Sequence, residues 1–182
     1  TYILTKTFTG QLMQKIRFTS SIILILVLAS LFTFLANHNA TASTVTTYVI
    51  NASRDDAWSK DNDIKWDTDE CYLSTADTIT GCRWRIDIPK GATILNANFI
   101  CKAKNQKNMP NTIARIETFD QGSCDDFDTI FWNWQVMGEY VDWLLPELFL
   151  PNTWYTSPDL KTTIQAYINR TGYKAGNYFG LR

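Results

Sequence analysis

The sequence predicts an all-β, antiparallel domain with one short helix near its C-terminus, preceded by an N-terminal hydrophobic signal helix. Two kinds of pattern support this. Several segments rich in β-branched and aromatic residues alternate polar and apolar positions, which is typical of half-buried strands. An uncharged apolar run at residues 22–36 (IILILVLASLFTFLA) precedes them, as expected for the apolar part of a signal peptide.

The apolar run has the flanks of a signal peptide. Lys15 and Arg17 precede it, and residues 40–42 (ATA) follow as a small-x-small cleavage signature. We therefore predict residues 1–42 as a signal peptide and residues 43–182 as one secreted or cell-surface domain.

Two alternatives concern this N-terminal region. Met13 is a candidate start codon, in which case residues 1–12 are an upstream extension. An uncleaved signal would act as a membrane anchor, since residues 18–36 carry no charge and nearly reach the length that spans a bilayer. Membrane contact is otherwise not expected.

Charge and histidine content exclude several function classes. Only three charged residues precede position 43, so the remaining chain has 14 basic and 18 acidic side chains. An acidic domain without a basic stripe does not suit nucleic acid. The only histidine is His38, within the signal region. The domain therefore lacks the histidine of Ser-His-Asp and Cys-His catalytic systems and of most zinc sites.

Alternation of polar and apolar residues predicts the strands, and turn-forming residues separate them. Residues 51–70 contain turn formers, acidic residues and two tryptophans, and are predicted as a long surface loop. Residues 131–150 are aromatic-rich with ambiguous periodicity and are expected to be strand and loop. The strands are predicted at residues 44–50, 83–88, 93–103 and 112–119.

One segment has helical periodicity instead. Its apolar residues fall at i, i+4, i+7 and i+8, which predicts a short amphipathic helix. Ser157 suits the N-cap, Pro158 the first helical position and Gly172 the C-terminal end. The apolar residues of this helix are Leu160, Ile164, Tyr167 and Ile168.

A strand is predicted to begin at residue 178, just as the printed sequence ends. We interpret this as a domain truncated at its C-terminus. Such a domain would expose a sheet edge at residues 178–182. The protein could associate with itself through this edge, or the edge could be paired by a strand from a continuation of the chain.

Two groups of motifs resemble the DNRLRE-type domains, which are secreted β-sandwich modules related to carbohydrate-binding modules. The first group is residues 81–86 (GCRWRI) and 88–97 (IPKGATILNA). The second comprises SPDL at 157–160, IQ at 164–165, INR at 168–170 and GYKAGN at 172–177. The resemblance covers residues 44–182 and implies a jelly-roll-like β-sandwich. Tyr173 stands where the family pattern has Trp, and the four cysteines are not part of that pattern.

The four cysteines of an exported domain suggest two disulfides, for which three connectivities exist. We favour Cys71–Cys82, which closes a short loop, and Cys101–Cys124, which joins a strand to an acidic loop. A metal site is the alternative, but the chain has no Cys-x-x-Cys pair.

Acidic residues cluster in the predicted loop and could enclose a calcium ion, although their spacing is not that of an EF-hand. A solvated acidic loop is the simpler interpretation. A second acidic group lies at residues 125–128. The candidate calcium ligands are Asp61, Asp63, Asp67 and Asp69.

Trp58 and Trp66 lie in the same polar loop, so we predict them to be the exposed tryptophans that stack on a sugar ring. Tryptophans are also common core residues of a sandwich. The sequence thus predicts a non-catalytic, extracellular carbohydrate-binding or adhesive module with a polysaccharide or glycan as partner. Alternatives are a structural surface or appendage protein, and a polysaccharide-degrading enzyme that uses a pair of carboxylates.

Overall fold

The computed structural model describes residues 3–11, 41–50, 52, 54–60, 63–66, 72, 78–127, 131 and 133–182. Within these residues there are twelve strands and one helix. The strands are β1 (Ile3–Gln11), β2 (Thr41–Val49), β3 (Asp56–Lys60), β4 (Asp63–Trp66), β5 (Thr78–Arg85), β6 (Thr93–Lys102), β7 (Lys107–Asn108), β8 (Ile113–Phe119), β9 (Val136–Leu144), β10 (Leu148–Phe149), β11 (Trp154–Thr156) and β12 (Tyr178–Leu181). The helix, α1, is Lys161–Asn169.

The strands form two larger sheets and one small one. The larger sheets have the orders β4-β3-β5-β12-β8-β9 and β11-β6-β1-β2, and β10 pairs with β7. Every pairing among the described strands is antiparallel. The prediction of antiparallel sheets with one short helix is therefore confirmed for the described residues, and the arrangement is consistent with an all-β chain and with a β-sandwich.

The main hydrophobic core lies between the two larger sheets and the helix. Trp84 of β5 is fully buried, and its ring contacts Phe99 of β6 and Phe179 of β12, with centroid distances of 6.1 and 6.4 Å. The helix contributes Ile164, Tyr167 and Ile168 to the same core. Burial of these large side chains is the main force that holds the sheets together.

A second, smaller cluster covers part of the outer face of the six-stranded sheet. Phe127 and Phe131 lie over Gly81 of β5, so closely that a methyl group on this glycine would come within 2.8 Å of the Phe127 ring. Gly180 of β12 lies beneath Phe119 and Cys124 in the same way. These two glycines allow Cys124, Phe127 and Phe131 to pack directly on the sheet.

The segment that leads into α1 continues the pairing of β6 through backbone amides, which donate to β6 carbonyl oxygens, and through side chains, which accept from β6 amides. The Ser157 hydroxyl accepts a hydrogen bond from the Phe99 amide at 2.9 Å, and the Asp159 carboxylate accepts one from the Ala97 amide at 2.9 Å. Asp159 also accepts from the Lys161 amide at the start of the helix. The prediction that Ser157 caps the helix is therefore wrong, because its hydroxyl is directed to β6.

The predicted exposed edge at residues 178–182 is also wrong. β12 lies in the interior of the six-stranded sheet, where it pairs with β5 on one side and β8 on the other. The predicted loop at 51–70 likewise differs from the structure, since it contains β3 and β4. Alternation is hard to recognise in strands this short when polar residues surround them.

The N-terminal region differs from the prediction in one respect. Residues 3–11, expected to lie outside the domain, form β1 between β6 and β2. The apolar run at 22–36 lies outside the described residues, so the signal helix and its cleavage stay predictions. In the part of the chain that the structure describes, no helix has the length and apolar character needed to cross a bilayer.

Candidate functional site

Part of the outer face of the six-stranded sheet is not covered by any described residue, and it carries an ordered set of exposed side chains. They belong to β8 and β9 at the edge of that sheet, where three cross-strand pairs follow one another in register. We call this surface the β8–β9 face. Its pairs are Ile113 with Leu144, Arg115 with Asp142, and Glu117 with Tyr140.

The alternation of β8 and β9 places these side chains outward. Ile116 and Trp143, from the intervening positions, are buried in the main core. Because successive side chains of a strand point to opposite faces, burial of these two residues directs their neighbours to the outer face. Burial of the core side chains thus determines which residues form the β8–β9 face.

Arg115 and Asp142 form a bidentate ion pair at the centre of this face. The Arg115 Nε donates to Asp142 Oδ1 at 2.9 Å, and Nη2 donates to Oδ2 at 3.3 Å. This hydrogen bonding lowers the pKa of the Asp142 carboxyl and raises the pKa of the Arg115 guanidinium. Both groups therefore stay charged, and their planar ends are held in a defined orientation.

Tyr140 supplies an aromatic ring beside this ion pair. The Arg115 Cζ lies 3.9 Å from the ring centroid, which is a cation–π contact. Tyr140 is nevertheless 51% exposed. Arg115 thus orients the ring while much of the side chain stays open to a ligand.

A second ion pair includes Glu117, the residue opposite Tyr140 on β8. The Arg182 Nε donates to Glu117 Oε2 at 2.8 Å, and the backbones of the same two residues exchange hydrogen bonds at 2.8 and 2.9 Å. Arg115 of the β8–β9 face and the neighbouring Arg182 are thus each matched by a carboxylate. The surface offers both hydrogen-bond donors and acceptors without a net charge.

The two tryptophans predicted to bind a ligand belong to a different surface. Trp58 is in β3 and is half-buried, with the ring of Tyr72 at a centroid distance of 4.7 Å. The backbone of Trp66 lies in β4, but its side chain is outside the described part of the structure. β3 and β4 lie at the opposite end of the six-stranded sheet from β9, so Trp58 is separate from the β8–β9 face.

Most of the predicted calcium ligands lie outside the part of the chain that the structure describes. Asp61, Asp67 and Asp69 are among these residues, and only the backbone of Asp63 is described, in β4. Among the side chains that are described, no group of three acidic, cysteine or histidine residues has the arrangement of a metal site. The calcium site stays a prediction.

No disulfide joins any two of the three described cysteines, Cys82, Cys101 and Cys124. The predicted Cys101–Cys124 disulfide is wrong because the two side chains lie in different clusters. Cys101 faces the core between the sheets, whereas Cys124 lies on the outer face beside Gly180. Cys71, the predicted partner of Cys82, lies outside the described residues.

Burial raises the pKa of the Cys124 thiol to about 12. A thiol of that pKa is neutral at physiological pH and behaves as a small apolar side chain. Its position against the glycine of β12 indicates a packing role.

The sequence did not identify Tyr140 as a site residue, because the periodicity of residues 131–150 was ambiguous. The signal that could have identified it is the polar–apolar alternation of residues 140–144 (YVDWL). The outward residues of this segment lie opposite the outward residues of β8. Trp154 was also not selected, although it is 46% exposed on β11, with the Lys102 amine 5.9 Å from its ring centroid.

Comparisons with known proteins found no match: no family model fits the chain, and neither a curated protein nor a solved structure shows significant similarity to it. The resemblance to DNRLRE-type domains therefore stays an expectation from the sequence motifs.

Proposed function

We propose that this chain is a non-catalytic, extracellular carbohydrate-binding or adhesive module of a secreted or surface protein, built as a jelly-roll-like β-sandwich of the DNRLRE type. The observation that carries the proposal is the exposed ring of Tyr140 on the β8–β9 face, in contact with Arg115 of one arginine–carboxylate pair and opposite Glu117 of another.

This combination suits a sugar because a sugar ring has two kinds of surface. Its C–H groups form an apolar face that can pack on an aromatic ring, and its hydroxyl groups both donate and accept hydrogen bonds. Tyr140 provides the ring. Arg115 and Asp142 provide donors and acceptors whose geometry is already fixed by their own hydrogen bonds, which reduces the entropy lost on binding.

The charge balance of the face favours a neutral glycan. Asp142 neutralises Arg115, and Glu117 neutralises Arg182. An anionic polymer would be attracted by unpaired positive charge, and these two arginines do not provide it. A neutral polyhydroxylated ligand can bind without breaking either ion pair.

Glycan-array binding and pull-down on insoluble neutral polysaccharides, with the 182-residue chain, test the proposal. We expect selective binding that Tyr140→Ala weakens about tenfold or more, as expected when an aromatic contact of about 1.4 kcal/mol or more is removed. Arg115→Met should weaken binding as well, because it removes the donors and frees the Tyr140 ring to move.

Trp154→Ala is the matched control, since it removes an exposed aromatic side chain from the other sheet. It should leave binding unchanged. Trp58→Ala, in turn, tests the surface predicted from the sequence, and calcium should be varied in the same assay. Glycan binding that survives Tyr140→Ala but is lost in Trp58→Ala would move the site to β3 and the acidic loop.

A structural role in assembly is the second candidate, favoured by the position of β9. This strand has no partner on its outer side among the described residues, and it carries the exposed Leu144. Exposed strand edges with apolar side chains promote association between chains. If the protein binds no glycan and instead forms oligomers that Leu144→Lys dissociates, measured by light scattering, assembly is its function.

A further inference from the structure

The C-terminal end of α1 carries an acceptor sequence for N-linked glycosylation. Asn169, Arg170 and Thr171 match the pattern N-x-T, in which the middle residue is any except proline. A pattern this short also occurs by chance. Whether it can act as an acceptor therefore depends on how the folded chain places the asparagine and the threonine.

The side chain of Asn169 is exposed, and its orientation is fixed by Gln165, one turn earlier in the helix. The Gln165 Oε1 accepts a hydrogen bond from the backbone amide of Ile94 at 2.8 Å, so its Nε2 must be the donor to the Ala92 carbonyl and to Asn169 Oδ1, at 3.0 and 3.1 Å. The Asn169 Nδ2 therefore points away from Gln165. This nitrogen, the atom that carries an N-linked glycan, makes no hydrogen bond to any described residue.

The middle residue of the pattern is anchored to the domain. The Arg170 Nη2 lies 2.9 Å from Asp120 Oδ1, and the Arg170 carbonyl accepts a hydrogen bond from Lys90 Nζ at 3.2 Å. The backbone of Arg170 is extended, so the chain leaves the helix directly after Asn169. Thr171 is exposed, as is Asn169. The two residues that the reaction requires are thus accessible on either side of a fixed arginine.

The acceptor sequence is separate from the β8–β9 face. The helix packs through Ile164 and Ile168 into the main core, where it meets Ile116 and Trp143 on the inner side of β8 and β9. Tyr140 is on the outer side of the same strands. A glycan at the end of α1 is therefore attached on the other side of the sheet from the β8–β9 face.

We propose that Asn169 carries an N-linked oligosaccharide in the exported protein. The inference goes beyond the proposed function and shares with it only the export of the chain. The donor is an oligosaccharide linked to a membrane lipid through pyrophosphate. The Asn169 Nδ2 forms a bond to the anomeric carbon of the first sugar and releases a proton, while the bond from that carbon to the pyrophosphate oxygen breaks and the lipid pyrophosphate leaves with the electron pair. Nothing is oxidised or reduced.

The test is secretion of the 182-residue chain by cultured eukaryotic cells, followed by peptide mass mapping before and after treatment with peptide N-glycosidase. This enzyme releases the glycan and converts the modified asparagine to aspartate. We expect the peptide that contains Asn169 to carry a glycan and to show this conversion after treatment. Mapping distinguishes Asn169 from the two other acceptor patterns of the chain, at residues 39–41 (NAT) and 51–53 (NAS).

Four variants separate modification of this site from other effects. Asn169→Gln and Thr171→Ala should each abolish glycosylation at position 169, whereas Thr171→Ser keeps the hydroxyl group and should retain it. Asn105→Gln is the matched control, because Asn105 is an exposed asparagine outside any acceptor pattern. It should leave the glycan in place. Thermal unfolding verifies that each variant is folded.

The outcomes separate this inference from the proposed function. A secreted protein without a glycan on Asn169, or a glycan that persists in Thr171→Ala, overturns the inference. Binding at the β8–β9 face is measured on unglycosylated protein from a bacterial host, so it is decided independently. Failure of the cells to export the chain would contradict both the inference and the extracellular location in the proposed function.

Discussion

The carboxylate of Asp159 accepts a hydrogen bond from the backbone amide of Ala97 at a distance of 2.9 Å, and so joins the start of α1 to strand β6. Pro158, which precedes Asp159, has no N–H to donate to a sheet. The amides on either side of it, of Ser157 and Leu160, donate to carbonyl oxygens of β6. The side chains of Ser157 and Asp159 accept hydrogen bonds from the β6 amides. The SPDL motif of this chain thus joins the start of the helix to β6 by hydrogen bonds.

Asp159→Ala should lower the free energy of unfolding by about 1–3 kcal/mol. The substitution leaves the amide of Ala97, a fully buried residue, without its acceptor. Asp159→Asn, which keeps an oxygen at the same position, should recover most of this loss. Urea unfolding of the three proteins measures the difference, and equal stability of the Ala variant and the wild type would contradict the role assigned to this carboxylate.

Gly81→Ala should destabilise the protein by about 1–3 kcal/mol through overpacking. The added methyl group would lie 2.8 Å from the Phe127 ring and 3.1 Å from that of Phe131, and both rings are fully buried. Gly138→Ala, on the exposed part of β9, is the control, because the methyl group added there would have no atom within 4 Å. A similar midpoint of thermal unfolding for the two variants would be evidence against close packing of Phe127 and Phe131 on the sheet.

Cys124 should react slowly with thiol reagents in the folded protein. Its pKa of about 12 leaves almost no thiolate at mildly alkaline pH, and thiolate is the reactive form. Labelling with iodoacetamide followed by peptide mass mapping should show Cys124 modified in guanidinium chloride but protected in buffer. A Cys101–Cys124 cross-linked peptide in the unreduced protein would contradict the structure.

The carboxyl pKa of Asp142 should lie below the usual value of about 3.9 for aspartate, because Arg115 hydrogen-bonds its charged form. A lowered pKa in the folded state stabilises the protein above the unfolded pKa, and this contribution is lost as the pH falls through the lowered value. Carbon-13 NMR titration of the side-chain carboxyl measures the pKa of Asp142.

Arg115→Met should return the pKa of Asp142 toward its usual value. Glycan binding by the wild-type protein should also weaken as Asp142 becomes protonated at low pH, since protonation weakens the ion pair that orients Arg115. An unchanged titration in the variant would show that Arg115 does not control this carboxyl.

The fold could be predicted from the sequence in outline. Strands with strong alternation, such as β6 and β8, were located to within about two residues at each end, and the periodic apolar residues of α1 identified the helix. The short strands β3 and β4, which lie in polar surroundings, were not predicted. Strands of five and four residues are too short for the alternation of polar and apolar residues to be recognised.

The candidate site was not predictable in the same way. Tyr140 and Arg115 lie 25 positions apart in the sequence, and their contact depends on the alignment of β8 with β9. Trp58 was predicted to be exposed because it lies in a polar segment, but local polarity does not reveal that the ring of Tyr72 packs against it.

The sequence by itself determined which segments are strands or helix wherever apolar residues recur with a regular period, because that period decides which side of an element can be buried. Only the tertiary structure decided which strands are neighbours, that β12 is an interior strand, and which outward side chains form one surface. Those properties depend on how segments distant in the chain pair with one another. Burial of the whole core selects this pairing, and no local pattern does.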